Sequence, residues 1–167
     1  MNKENVVERM EAVENTTDIM VNSGDIATKD MVAELLDGGM SAYSSLVDDG
    51  SRESKIDIYN AISNPDEKIA DHINEVLEIV DVVAHPLTLV DEETGEVVEA
   101  TRTVLIDKNN KCYEAVSGGI VSALSRIFQF VGRPDGGAWH SNPVKMKIVQ
   151  VKTRNGNNKV NTIQLVK

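Results

Sequence analysis

From Val76 to Val90 the chain runs through Val, Ile and Leu with one proline, Pro86. It then turns on Asp91-Glu92-Glu93-Thr94-Gly95 into a second run, Glu96 to Asp107. Runs rich in β-branched residues, bounded by polar, glycine-containing turns, read as strands joined in a hairpin. The proline within the first is expected to mark a bulge. Lys108-Asn109-Asn110 is a tight turn and Lys111 to Ser117 a third strand. From Gly118-Gly119 onward the apolar period changes to that of a helix: Ile120, Val121, Leu124, Ile127, Phe128 and Val131 share a face, and Gly132 and Pro134 stop it. Residues 132–143 form a loop carrying Trp139 and His140. Val144 to Thr153, Asn155-Gly156-Asn157-Asn158 and Lys159 to Val166 read as a closing hairpin. In its first strand Val149 and Val151 are apolar on the wrong parity, which predicts a bulge near Ile148-Val149. The order β-β-β-α-β-β, with a mainly β composition, is that of an OB-fold-like five-stranded barrel, a class that binds oligonucleotides or oligosaccharides, and other small barrels and α+β domains share it.

The first half has a different character. Residues 1–20 carry Val6, Val7, Met10, Ala12 and Val13 at helical spacing between acids, and Thr28 is a good N-cap for Lys29 to Leu36. Residues 38–54 are rich in Gly, Ser and Asp and read as flexible. Lys55 to Ile62 forms a short helix closed by Asn64-Pro65, and Pro65 opens a further helical turn, Asp66 to His72. The expected division is an acidic, mostly helical and partly disordered extension over 1–54, short connecting helices over 55–75, and the β-barrel domain over 76–167.

The formal charge of −10 conceals an asymmetry. Residues 1–75 hold 17 acids and 6 bases, whereas residues 76–167 hold 10 acids and 11 bases. The last acid is Asp135, after which come Lys145, Lys147, Lys152, Arg154, Lys159 and Lys167. Segregation of this kind is either a solvated surface or the footprint of an anionic partner. No apolar run approaches a membrane span, and no basic-then-apolar leader opens the chain. The lone Cys112 makes no internal disulfide and excludes a cysteine-based zinc cluster. The expected compartment is therefore the cytoplasm. His72, His85 and His140 are widely spaced, Gly118-Gly119 is not followed by Gly-Lys-Ser/Thr, and Asp91 to Glu93 read as a solvated hairpin tip. No metal, cofactor or enzymatic activity is expected.

The segments Val80-Asp81-Val82-Val83-Ala84-His85, Val90-Asp91-Glu92-Glu93-Thr94-Gly95-Glu96, Val104-Leu105-Ile106-Asp107, Tyr113-Glu114-Ala115-Val116-Ser117 and Pro143-Val144-Lys145-Met146-Lys147 resemble phage single-stranded DNA-binding proteins of the phi-29-like type. The resemblance covers roughly residues 58–166. It implies an OB-like domain that coats displaced single strands during phage genome replication, placed in the host-cell cytoplasm.

Binding single strands without regard to sequence needs a cationic groove along the phosphates and aromatic faces for the bases. Lys111 and Tyr113 share a face of the third strand, so Tyr113 is either a stacking ring or barrel filler. Arg102 shares parity with Val98, Val104 and Ile106 and falls at the edge of the core. Lys145 and Lys147 alternate with apolar residues. Lys152, Arg154 and Lys159 continue the positive stripe, which otherwise reads as edge-strand protection. Trp139 is either a stacking residue or a plug over the barrel end. The acidic half reads in three ways: a gating arm that competes with DNA, a docking segment for replication proteins, or a homo-oligomerisation arm through the N-terminal helices. The alternative to DNA binding is a protein-interaction or assembly module with no nucleic-acid role.

Overall fold

The computed structural model describes residues 42–91 and 93–167. The helical readings over 1–20 and 29–36, with the oligomerisation face at Val6 to Val13, lie outside the described residues. Among the described residues the fold is mainly β: seven strands form one sheet, curled into a half-barrel, with two α-helices.

Strand β1 (Tyr43–Ser44) precedes helix α1 (Arg52–Ser63). The helix begins earlier than its apolar pattern suggests because Ser51 caps it, its hydroxyl accepting from the Ser54 amide at 3.1 Å. It ends at Asn64, before the proline that disfavours a helical residue ahead of it. The expected helical turn after Pro65 is instead a two-residue strand, β2 (Glu67–Lys68), followed by a 3₁₀ turn over Ile69–His72. The remaining elements are β3 (Val76–Val90), β4 (Val97–Asp107), β5 (Cys112–Ala115), α2 (Gly118–Phe130), β6 (Val144–Lys152) and β7 (Lys159–Leu165). The sheet order is β2-β5-β4-β3-β6-β7, with β1 paired on β3. Strands β6-β3-β4-β5 form a Greek key, in which the fourth strand returns beside the first.

Pro86 causes no bulge. It pairs in register with Thr101, at a stretch of β3 where β4 is the paired neighbour, so its missing N–H interrupts no ladder. The irregularity falls between Ile79 and Asp81. One extra residue there reverses the side-chain parity, so that Leu77 and Ile79 before it and Val82 and Ala84 after it all enter the same core. The bulge sits where β3 exchanges partners, β6 pairing up to Ile79 and β1 from Val83.

That core also takes Leu105, Tyr113, Met146 and Ile148 from the sheet and Ile120, Val121, Leu124, Ile127 and Phe128 from α2. Gly119 lets α2 approach β7: a Cβ there would lie 2.2 Å from the carbonyl oxygen of Asn161. On the opposite face of β3, β4 and β5, α1 lays Ala61 and Ile62 over Val83, Val104, Ile106 and Cys112. Burial pushes the Cys112 thiol up to about 11. Tyr43 and Ile69 belong to the main core, so the segment expected to be extension and connector supplies strands and core residues to the same sheet.

Candidate nucleic-acid interface

Strands β6 and β7 pair without interruption from Met146 opposite Leu165 to Lys152 opposite Lys159. The bulge expected near Ile148-Val149 is absent. The parity changes meaning for another reason: β3 accompanies β6 only as far as Lys147, and the chain before β3 adds a last pair of bonds at Ile148. Beyond Ile148 strand β6 has β7 as its paired neighbour, and Val149 and Val151 no longer have a core to face. The turn closes through the Thr153 amide on the Asn158 carbonyl at 2.8 Å, with Gly156 at φ 72°. A residue with a side chain strains at that positive φ, and glycine does not.

This hairpin gathers the late cations. Lys145, Lys152, Arg154 and Lys159 are exposed and Lys147 is half-buried. No carboxylate side chain occurs from residue 136 to the end. Lys152 stands directly opposite Lys159, and Arg154 follows in the turn. Like charges directly opposite across a sheet repel. Lys145 and Lys147 point to the other face; Lys145 lies opposite Glu78, which Lys108 already engages. The stripe is thus one hairpin with cations on both faces.

The other residues expected to contact DNA lie elsewhere. Arg102 is 1% exposed beneath α1. Its Nη1 donates to the Ile62 carbonyl at 2.8 Å, and its Nε lies 3.2 Å from Glu114 Oε2. Burial raises the Glu114 pKa against the opposing pull of Arg102. Arg102 is therefore a buried cation with its partners inside the fold. Tyr113 is core as well, its hydroxyl donating to Asp107 Oδ2 at 3.2 Å. Burial first, then the Asp107 charge, pushes its phenol up to about 12. Trp139 is 4% exposed and stands edge-on to Phe128, whose ring meets Tyr43. Of the two readings of Trp139, the plug is the one that matches its burial. Lys111 is half-exposed, 5.7 Å from the Tyr113 ring centroid and paired with Glu67. In the sheet order it is separated from the hairpin by β4 and β3.

The sequence pattern alone did not reveal two polar clusters. Asp81, buried in β3, accepts from Ser45 Oγ at 2.6 Å and meets His140 Nε2 at 2.7 Å, fastening β1 and the loop after α2 to the sheet. His72 is held between Glu67 and Glu75, with Nδ1 2.6 Å from the latter. Burial opposes its charge, but the two carboxylates outweigh this and raise its pKa. Neither cluster has a local sequence signal, since the partners come together only through sheet pairing and turns. Among the described residues no group of side chains could hold a metal ion, and no helix is long and apolar enough to cross a membrane.

A small curled sheet with an acid-free cationic hairpin and no assembled reactive cluster among the described residues has the form of a binding module for an anionic polymer. The family model described as phage single-stranded DNA-binding protein matches residues 38–166, and the chain belongs to that family. A relative, the single-stranded DNA-binding protein of Bacillus phage GA-1, is 27% identical over 107 residues, 62% of this chain and 62% of the relative. The matched region thus spans somewhat under two-thirds of that relative's length. No solved structure matches.

Proposed function

We propose that this chain binds single-stranded DNA without regard to sequence, coating strands displaced during phage genome replication in the host cytoplasm. The role is stoichiometric and involves no catalysed step. The observation that carries the proposal is the opposition of Lys152 and Lys159 beside Arg154, on a hairpin free of acids and of ion pairs among the described residues. A phosphate strand relieves that repulsion, and counterion release drives the association. Lys145 and Lys147 extend the contact toward the body of the sheet. Family membership supports the choice of DNA over other polyanions.

The architecture supports the same reading. Strands β3 to β7 with α2 follow the connectivity of a partly open Greek-key barrel, and we read the domain as OB-like. In such barrels the loops of the first and last hairpins flank the ligand face. Here these are the acidic loop after β3 and the basic loop 153–158, so the strand is expected to track the latter. Similarity to a single-stranded DNA-binding protein supports this function and leaves the protein-interaction alternative without an observation in its favour. Homo-oligomerisation through the N-terminal helices and docking of replication proteins by the acidic extension, residues 1–54, remain part of the proposal.

The test is a titration of labelled oligo-dT by fluorescence anisotropy over a salt series. Lys152→Gln with Lys159→Gln is expected to weaken binding and to lower the log–log salt slope by about 1.4, at about 0.7 per phosphate neutralised. A slope equal to the parent's, or a complex indifferent to salt, overturns the assignment of the hairpin.

A further inference from the structure

We infer that the single strand leaves the hairpin along the exposed side of α2 and stacks a base on Phe130. This rests on the proposed DNA-binding role and adds the aromatic contact that the hairpin lacks.

Sequence-independent binding of single strands combines cations with rings whose faces are open. The chain has six aromatic residues, and all lie among the described residues. Tyr43, Tyr113, Phe128 and Trp139 are buried in the core. Only Tyr59 and Phe130 present their rings, at 64% and 86% exposure. Phe130 is the last residue of α2, and its neighbour Val131 is exposed as well. Arg126 lies one turn earlier, exposed, and residues four apart share a helix face. No acid occurs between Ala115 and Pro134, and Asp135 beyond them is engaged by Arg133 at 3.0 Å and by the Tyr43 hydroxyl at 2.6 Å. Charge complementarity therefore selects a polyanion for this face.

The track is continuous with the hairpin. Asn161 of β7, two residues beyond Lys159, receives the Ser117 hydroxyl on its carbonyl at 3.4 Å and abuts Gly119. From that contact α2 runs 13 residues, about 20 Å, to Phe130. A strand gripped at Lys152, Arg154 and Lys159 thus has an acid-free helix beside it, with a cation at Arg126 and an open ring at its end. Tyr59, by contrast, projects from α1, which carries Glu53 and Asp57 among its bases.

The experiment uses the full chain and oligo-dT. Phe130→Ala is expected to weaken binding about 5- to 150-fold, the loss of one stacked base, with the salt slope unchanged because the ring neutralises no phosphate. Arg126→Gln is expected to lower the slope by about 0.7. Phe130→Trp is expected to retain affinity and to be quenched by the oligonucleotide, against a constant background from buried Trp139. Tyr59→Ala is expected to bind as the parent does. Parental affinity in Phe130→Ala, with the Lys152/Lys159 variant impaired, overturns the α2 track and leaves the DNA-binding role standing. A parent that does not bind oligo-dT removes both. A Phe130→Ala chain that changes in sedimentation mass but keeps its affinity per site assigns the ring to a second copy of the chain and overturns the inference.

Discussion

Arg102 shows how a charged residue on the apolar parity of a strand can be interior. Its neighbours in parity, Val104 and Ile106, are core residues of the face under α1, and the arginine follows them inward. Its charge is balanced by Glu114 and its fork by the end of α1, so its contribution is to hold that helix on the sheet. Breaking a buried pair by removing one partner typically costs about 3–5 kcal/mol, because the other charge is left without compensation. Arg102→Met is expected to lose about that much in urea unfolding while leaving the salt slope of DNA binding as in the parent. The side chains expected to touch DNA divide accordingly. That Lys145, Lys147, Lys152, Arg154 and Lys159 form a cluster of cations is legible in the sequence, because they lie in an acid-free stretch. The burial of Arg102, Tyr113 and Trp139 is not, because only what packs around a residue decides whether it meets water.

At the scale of elements, close approach and local charge matter more than propensity. The start of α2 can lie against β7 because Gly119 has no Cβ. Gly119→Ala forces the helix from the Asn161 carbonyl and is expected to cost about 1–3 kcal/mol, the usual penalty of overpacking, read as a lower urea midpoint. The turn before β3 is fixed by His72 between Glu67 and Glu75. Its folded pKa is raised, so its stabilisation is complete below about pH 6.5, the value of a free histidine, and is lost as pH rises through the higher folded value. The stability difference between parent and His72→Gln is therefore expected to shrink from about pH 6.5 upward, as followed by denaturant unfolding across pH. His85, whose pKa is lowered by burial and then by Arg102, is present in both proteins and cancels in that difference. Most elements could be read from turns and periodicity: β3, β4, α2, β6 and β7 lie close to where their residues place them. Strands β1 and β2 could not, since two residues carry no period and exist only because β3 and β5 offer them edges.

For the whole molecule, the boundary of the folding unit differs from the boundary of the β pattern. Tyr43 packs on Phe128, Ile69 is fully buried, and Ser45 bonds to Asp81 and to the amide of Val82. A chain beginning at residue 42 keeps all of these contacts and is expected to unfold cooperatively. One beginning at residue 76 is expected to show no cooperative transition. The loss of Tyr43 alone removes a buried aromatic worth about 3–5 kcal/mol, a large part of a typical domain's stability. Circular dichroism during urea titration of the two fragments separates these outcomes. The charge asymmetry also resolves at this scale, since the basic residues concentrate on one hairpin while the bases of the first half stand among acids.

By itself the sequence determined the positions of the long strands and of α2, because period and turn chemistry are local properties of neighbouring residues. It also determined that the closing hairpin carries cations and no acid of its own, since charge along a stretch is read directly from its residues. The tertiary structure alone decided which strand faces are covered, because burial depends on what packs from elsewhere: α1 over Arg102, and the turn carrying His72 against Tyr113. It placed the bulge at Val80 instead of Pro86, since parity must reverse where β3 changes partner for both halves to reach one core. It also left Phe130 and Tyr59 as the rings open to a partner, an outcome of packing that no count of aromatics contains.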